Sequence, residues 1–241
     1  MWDRSYVSST LLLFEVQPYK QPNCTQVFGP YVTITRGIDV SPNMVAAYNA
    51  RARTANLPAS KVNAMVGNLF DKQAPSNELV GPEWENFDLV TAGFAFHHFE
   101  DVVHAAKCLK ERLRPGGALV ITDYLEGADM KADENGDPIP GSEGSHATMH
   151  RHSHGHKHGQ GHIQDHAENG FLNSDVKTMA DSIMTPSFTM EAVRELFTKA
   201  GLVDVDVVKM PERVYLEFGG QRIWRVILLA KGRRPLEESE G

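Results

Sequence analysis

The stretch Gly37-Ile38-Asp39-Val40-Ser41-Pro42-Asn43-Met44 joins the end of a strand, an acidic side chain and the start of a helix. Residues 32–38 are rich in β-branched side chains and predict a strand that ends at Asp39. Ser41 followed by Pro42 indicates a helix start, because serine caps free backbone N–H groups and proline fits the first turn. In open parallel sheets, ligands lie across the carboxyl ends of the strands. We therefore expect Asp39 to lie beside a ligand.

The alternation of strands and helices continues on both sides of this stretch. Between residues 32 and 123 the predicted elements are a helix at 42–55, strands at 61–66 and 87–92, a helix at 100–113, the Pro115-Gly116-Gly117 turn and a strand at 118–122. Towards the C-terminus they are helices at 174–182 and 189–200 and strands at 202–208 and 222–230. Parallel strands need crossover connections, which the intervening helices supply. The short last connection predicts an antiparallel pair.

These elements predict one α/β domain over residues 1–241, with a Rossmann-like, doubly wound, mostly parallel sheet and an antiparallel C-terminal strand. Residues 1–30 form an atypical N-terminal segment, in which the apolar residues of 8–16 supply the central strand. We expect a flexible, disordered His-rich insertion at 126–170, because it shows no apolar period. The charged tail at 232–241 is expected to fray.

Eight of the eleven histidines lie between residues 146 and 166. Neutral imidazole suits zinc, nickel and copper. A loop rich in glycine and serine must be ordered before it binds an ion, and ordering costs conformational entropy. Weak adventitious chelation is therefore favoured over a defined site, and we predict no metal.

Composition and charge exclude several classes of partner. The net charge is −7, and lysines and arginines are scattered, which disfavours nucleic acid. The apolar run at residues 11–14 is too short for a signal sequence, and no stretch approaches the roughly 18 apolar residues of a membrane span. Cys24 and Cys108 give no disulfide framework. We expect a cytoplasmic protein with a small-molecule substrate.

Three segments, in this order, resemble motifs of the class I S-adenosylmethionine-dependent methyltransferases. The first is the Gly37–Met44 stretch, and the second is Phe87-Asp88-Leu89-Val90-Thr91-Ala92-Gly93-Phe94-Ala95-Phe96-His97-His98-Phe99. The third is Leu113-Arg114-Pro115-Gly116-Gly117-Ala118-Leu119-Val120-Ile121. The resemblance covers roughly residues 31–125 and 185–231. It implies the fold of that family and transfer of a methyl group from S-adenosylmethionine to a small molecule.

The resemblance also implies a cofactor site at three strand ends, made of Asp39, Val40, Gly67, Asn68, Leu69 and Gly93. In the family the acid at the place of Asp39 binds the ribose, and the segment at the place of residues 67–69 faces the adenine. Asn68 stands where the family more often has Asp, and an amide can both donate and accept there. From the residues alone, Asp39 as a helix cap and Gly67 with Asn68 as an ordinary turn remain alternatives.

His97 and His98 follow the predicted fourth strand, beside the substrate cleft that the resemblance implies. Either one can act as a general base if the methyl acceptor is a hydroxyl or an acid. A purely packing role is the alternative, because aromatic residues surround both histidines. Methyl transfer depends mainly on positioning the two reactants, so a dedicated base is not obligatory.

One motif of the family is missing. The glycine-rich loop after the first strand belongs about 20 residues before Asp39, where residues 17–22 contain two prolines and no glycine. Cβ atoms and fixed φ angles oppose close approach of the backbone to a cofactor. The alternative function is therefore an inactive methyltransferase-like protein, or an aberrant gene product that has lost its cofactor loop.

Overall fold

A computed structural model describes residues 10–15, 31–72, 79–144, 183–218 and 221–236. Its strands are β1 (Thr10–Glu15), β2 (Ile34–Asp39), β3 (Val62–Val66), β4 (Phe87–Gly93), β5 (Leu113–Tyr124), β6 (Met130–Lys131), β7 (Val203–Phe218) and β8 (Gln221–Arg233). Its α-helices are α1 (Pro42–Thr54), α2 (Val102–Arg112) and α3 (Met190–Lys199). Short 3₁₀ turns occur at Pro82–Trp84 and Phe96–His98.

The strands form one sheet in the order β3-β2-β1-β4-β5-β8. Neighbours from β3 through β5 are parallel, whereas β8 runs antiparallel to β5, β6 and β7. Leu228 of β8 pairs with Asp123 of β5 on one side and with Lys209 of β7 on the other. This topology confirms the predicted doubly wound, mostly parallel sheet with an antiparallel C-terminal strand. It also confirms that the N-terminal segment supplies the central strand, since β1 lies between β2 and β4.

Each described α-helix begins at a side chain that caps its first turn. The hydroxyl of Ser41 accepts a hydrogen bond from the backbone N–H of Met44 at 3.4 Å, and Pro42 occupies the first turn of α1. Asp101 caps α2 and Thr189 caps α3 in the same way. Such caps satisfy N–H groups that have no partner inside the helix. They explain why these helices begin within two residues of the predicted positions.

The hydrophobic core lies between the sheet and the helices α2 and α3. Leu109 of α2 and Phe197 of α3 are fully buried, as are Val90 of β4 and Leu228 of β8. Gly232 of β8 allows close packing here, because a Cβ at this position would lie 2.8 Å from the Phe197 ring. The helices are thereby held against the sheet.

The prediction of a disordered insertion at 126–170 is wrong for residues 126–144. Strand β6 pairs with β8 in this segment, and Asp129 exchanges two backbone hydrogen bonds with Gly144, at 3.0 and 2.9 Å. Backbone hydrogen bonds, rather than a periodic apolar face, hold this segment. Its polar composition therefore gave no periodic signal in the sequence. The remaining residues of the predicted insertion, like the predicted helix at 174–182, lie outside the described residues.

Two further boundaries need correction. Strand β8 continues to Arg233, and the N–H of Arg234 donates to the carbonyl of Gly117 at 2.9 Å, so the predicted fraying is wrong for residues 232–234. The predicted Pro115–Gly117 turn is an irregular part of β5, where Gly116 has a φ of +75°. Both differences have one cause, because the end of β8 pairs with the start of β5.

Replacing Phe197 with alanine should lower the free energy of unfolding by about 3–5 kcal/mol, because it leaves a cavity between α3 and the sheet. The matched control is Thr198→Ala, on the exposed side of the same helix, with an expected change within about 0.5 kcal/mol. Urea unfolding of both variants measures the difference. Equal stabilities would show that α3 does not pack on the sheet.

Candidate active site

The carboxyl ends of the parallel strands meet along one edge of the sheet. Glu15 at the end of β1 pairs with Gly93 of β4, and Asp39 at the end of β2 pairs with Val66 of β3. Strands β2 and β3 lie on one side of β1 in the sheet, and β4 and β5 lie on its other side. Ligands of open α/β sheets bind in the crevice at such a reversal. Asp39 and Gly93 therefore flank the crevice on its two sides.

Asp39 presents a half-buried carboxylate at this edge. One of its oxygens, Oδ1, accepts a hydrogen bond from the backbone N–H of Ser41 at 2.7 Å. Its second oxygen has no hydrogen-bond partner among the described residues. Burial raises the pKa of the Asp39 carboxyl, and the N–H of Ser41 opposes this rise. Ser41 itself caps helix α1, so the alternative of Asp39 as the helix cap does not hold.

The other predicted cofactor residues on this side differ in their exposure. The N–H of Gly67 donates to the backbone carbonyl of Asp39 at 3.0 Å, which joins the ends of β2 and β3. The side-chain oxygen of Asn68 accepts from the N–H of Phe70, so it closes its own turn. Leu69 is buried in the core and supports the edge from beneath. Val40 is 68% exposed and offers an apolar surface.

The opposite side of the crevice begins at the end of β4. Gly93 is buried, and Phe94 follows it with a φ of +51°, which turns the chain sharply. The N–H of Phe94 donates to the carbonyl of Thr122 at 2.8 Å, which ties the turn to β5. The chain then enters the 3₁₀ turn that contains His97 and His98.

His97 is bound at two points by Asp123, a buried residue near the end of β5. Its ring nitrogen Nδ1 lies 2.9 Å from Oδ1 of Asp123, and its backbone N–H donates to Oδ2 at 3.2 Å. Asp123 is 0% exposed and His97 is 6% exposed. The two contacts fix both the backbone and the ring of His97, because neither can move without breaking a bond to a buried carboxylate.

Aromatic rings surround this pair. The ring centroid of His97 lies 4.1 Å from that of His98 and 5.2 Å from that of Tyr124. Phe94 lies 5.1 Å from Tyr124 on the same measure. Burial raises the pKa of the Tyr124 hydroxyl far above its ordinary value. The end of β5 and the turn after β4 thus form an aromatic wall, which consists of Phe94, His97, His98 and Tyr124.

A crossing segment, residues 184–188, runs over the ends of β4 and β5. The N–H groups of Met184 and Thr185 donate to the carbonyl of His97 at 2.9 and 3.1 Å. The N–H of Phe188 donates to the carbonyl of Tyr124 at 2.9 Å. The crossing segment therefore holds the aromatic wall from the outside through backbone hydrogen bonds.

A buried ion pair anchors the crossing segment and the wall to β8. Nε of Arg225 lies 3.0 Å from Oδ2 of Asp129, and both side chains are almost fully buried. The guanidinium also donates to the carbonyl of Pro186 at 3.0 Å and lies 4.0 Å from the centroid of the Tyr124 ring. Burial raises the pKa of the Asp129 carboxyl, and the charge of Arg225 opposes that rise.

The structure brings Asp39, Gly67 and Gly93 to one edge and joins His97 to a carboxylate that sequence reasoning missed. Asp123 directly follows the predicted strand at 118–122, so the strand-end argument used for Asp39 could have found it. Arg225 and Asp129 are 96 positions apart, and no local pattern connects them. Within the described ranges there is no group of three or more metal-ligating side chains, and no helix is long and apolar enough to span a membrane.

Sequence comparison matches residues 15–119 to a family described as a methyltransferase domain. An uncharacterised methyltransferase of Schizosaccharomyces pombe is 35% identical over 100 residues, which cover 42% of this chain and 34% of that protein. The uncharacterised methyltransferase YcgJ of Bacillus subtilis is 28% identical over 107 residues, which cover 44% of this chain and 38% of YcgJ. The matched region thus spans little more than a third of either relative.

Solved structures share the fold over nearly the whole chain. The crystal structure of YcgJ has a TM-score of 0.56 at 13% identity and covers 96% of this chain and 94% of its own. Haemonchus contortus phosphoethanolamine N-methyltransferase 2, in complex with phosphomonomethylethanolamine and S-adenosylhomocysteine, has a TM-score of 0.52 at 13% identity. That comparison covers 95% of this chain and 49% of the nematode chain. At such identities the likeness concerns the fold.

The strand order and the structural neighbours show the fold of this chain, which is the class I methyltransferase fold. Within this chain, residues 15–119 match the methyltransferase-domain family. The resemblance stated from the sequence motifs is thereby confirmed.

Replacing Arg225 with methionine should lower the free energy of unfolding at neutral pH by about 3–5 kcal/mol, because Asp129 stays buried without its cation. Burial already raises the pKa of Asp129, and the loss of Arg225 raises it further. The folded variant then binds a proton that the unfolded chain releases, so its stability falls as pH rises through that raised pKa. Urea unfolding at several pH values measures this slope.

Arg114→Met is the matched control for this experiment. Arg114 pairs with Asp88 at 2.6 Å, but half of its side chain is exposed, so the loss should be at most about 1 kcal/mol. If Arg225→Met cost no more than Arg114→Met, the buried pair would not hold the wall and the crossing segment in place.

Proposed function

We propose that this chain is a methyltransferase that uses S-adenosylmethionine to methylate a small molecule. The observation that carries the proposal is the half-buried Asp39 carboxylate beside the crevice, in a chain that carries a methyltransferase domain. The nematode neighbour holds a small phosphorylated amine together with S-adenosylhomocysteine, which supports an acceptor of similar size.

The residues on the Asp39 side fit the adenosine part of the cofactor. The carboxylate has one oxygen held by Ser41, and the other is available to accept from ribose hydroxyls. Val40 and Val66 are exposed at 68% and 44% at the ends of β2 and β3. Apolar side chains exposed beside a hydrogen-bonding group are typical of a pocket for a flat, mostly apolar ring. We assign the adenine to this surface and the ribose to Asp39.

The bound cofactor supplies a methyl group on a positively charged sulfur. The part of this chain is to hold the acceptor in line with that group, because positioning contributes most of the rate in such transfers. We place the acceptor against the aromatic wall, on the Gly93 side of the crevice. His97 and His98 are the titratable side chains that we assign to the acceptor, and the bonds to Asp123 make His97 the more rigid of the two.

The inactive methyltransferase-like protein is the competing function, and calorimetric titration of the full chain with S-adenosylhomocysteine separates the two. Binding by the chain as written supports an enzyme. Residues 17–22, where the glycine-rich motif is missing, lie outside the described residues. If binding appears only after a glycine-rich turn replaces them, the competing function is favoured.

Asp39→Asn should weaken binding of S-adenosylhomocysteine by about 1.5–3 kcal/mol, because the amide removes a charged acceptor from the ribose hydroxyls. This corresponds to a rise in Kd of roughly 10- to 150-fold. Asp88→Asn is the matched control, since Asp88 lies at the opposite end of β4 and pairs with Arg114. The same titration measures both variants. A Kd that Asp39→Asn leaves unchanged would move the ribose site elsewhere.

Binding should also weaken on acidification. Burial raises the pKa of Asp39, so its carboxyl gains a proton at a higher pH than an ordinary aspartate. The protonated form is a weaker acceptor, and affinity for S-adenosylhomocysteine should fall as pH drops through that pKa. Titrations from pH 7 downwards test this, and the fall should be absent in Asp39→Asn.

A further inference from the structure

We propose that Asp123 is a positioning residue that holds His97 as a general base, and that the methyl acceptor is therefore a hydroxyl group. This inference rests on the proposed function and names its substrate class. Three features carry it: the two-point contact between Asp123 and His97, the tautomer that this contact imposes, and the complete burial of Asp123.

The contact is built from three hydrogen bonds to one buried carboxylate. Oδ1 of Asp123 accepts from the N–H of Tyr124 at 2.8 Å and lies 2.9 Å from Nδ1 of His97. Oδ2 accepts from the N–H of His97 at 3.2 Å. If the 3₁₀ turn with His97 only had to be attached to β5, the hydrogen bond to the backbone N–H would be enough. The additional bond to the ring fixes the orientation of the imidazole.

The ring bond also decides which nitrogen carries the proton. An ionised carboxylate only accepts hydrogen bonds, so Nδ1 donates to it and the neutral ring keeps its lone pair on Nε2. Nε2 has no hydrogen-bond partner among the described residues. Among the described residues, the titratable groups in contact with His97 are Asp123 and Tyr124 from β5 and His98 from its own turn. A neutral His97 is therefore a base whose acceptor nitrogen is uncommitted within the part of the chain that the structure describes.

The Asp123 carboxylate is fully buried. Its described partners are N–H groups of Tyr124 and His97, with no cationic side chain among them. A ring that receives a proton at Nε2 during the reaction stays bonded to this carboxylate through Nδ1. The pair is arranged to accept one proton as the reaction proceeds.

A hydroxyl acceptor needs such a proton acceptor, because its oxygen is a weak nucleophile until the proton leaves. The acceptor oxygen forms a bond to the methyl carbon as the carbon–sulfur bond breaks, and the electron pair of that bond stays on sulfur. The hydroxyl proton passes to Nε2 of His97 and then to water. A neutral amine attacks through its own lone pair and can release its proton to water afterwards, so it does not need the dyad.

The first test requires no acceptor. NMR spectra of the full-length protein with ¹⁵N-labelled histidine at pH 8.5 should show the proton of His97 on Nδ1. Asp123→Asn should disturb that tautomer, since an amide offers only one carbonyl oxygen to the three donors. His97→Gln assigns the His97 signal by its loss, and His104→Gln, which removes a histidine of α2 outside the wall, should leave that signal unchanged. A wild-type proton on Nε2 would overturn the proposal.

The second test offers radiolabelled S-adenosylmethionine with catechol, phenol, aniline, benzylamine and thiophenol as probes. We expect transfer to a hydroxyl probe, with kcat reduced about 100-fold or more in His97→Gln, within the range of a positioned general base. KM and the affinity for S-adenosylhomocysteine should stay within about twofold in that variant, since His97 acts on the proton rather than on cofactor binding. His104→Gln should behave like the wild type in kcat, KM and affinity for S-adenosylhomocysteine.

Methylation confined to the amines or the thiol would overturn the proposal. So would a hydroxyl rate that His97→Gln leaves unchanged, or a chain that binds S-adenosylhomocysteine and methylates no hydroxyl probe. If Asp123→Asn fails to fold, His97→Gln still decides the outcome. Failure to bind S-adenosylhomocysteine would remove the proposed function instead, and the tautomer of His97 would remain a separate result.

Discussion

The site depends on the parallel hydrogen bonding of β1 between β2 and β4. Those ladders bring the ends of the three strands to one edge, so that Glu15 pairs with Gly93 and Asp39 lies on the neighbouring strand. The hydrogen bonds between parallel strands are made by the backbone and say nothing about the function of the side chains, but they fix where each strand ends. An acid at the end of β2 and a turn at the end of β4 therefore face one crevice, although over 50 positions separate them in the sequence.

The two sides of the crevice are built by different physical means. The Asp39 side is an open strand end with exposed valines, which suits a cofactor that binds and leaves. The other side is held by two buried carboxylates, since Asp123 is hydrogen-bonded to His97 and Asp129 forms an ion pair with Arg225. Buried ion pairs contribute little net stability, because desolvation offsets their attraction. Their role here is to fix the geometry of the aromatic wall. The crossing segment is hydrogen-bonded to the same groups for the same reason.

The sequence predicted the fold through local signals, and it missed what depends on distant contacts. Strand ends and helix caps such as Asp39 and Ser41 are encoded within a few residues, so their positions followed from the pattern. The order at residues 126–144 arises from pairing with β8, and the partners of Asp129 and His97 lie on strands remote in sequence. Asp123 is an intermediate case, because its position at a strand end could be predicted from the sequence but its contact with His97 could not.

We expect the crevice to hold the cofactor with its ribose on Asp39 and its sulfur towards the aromatic wall. A crystal structure of the full chain with S-adenosylhomocysteine measures this directly. Ribose hydroxyls should lie within hydrogen-bond distance of the Asp39 carboxylate, and the sulfur should lie between that residue and His97. A ligand bound at another edge of the sheet, or one in the crevice that makes no contact with Asp39, would contradict it.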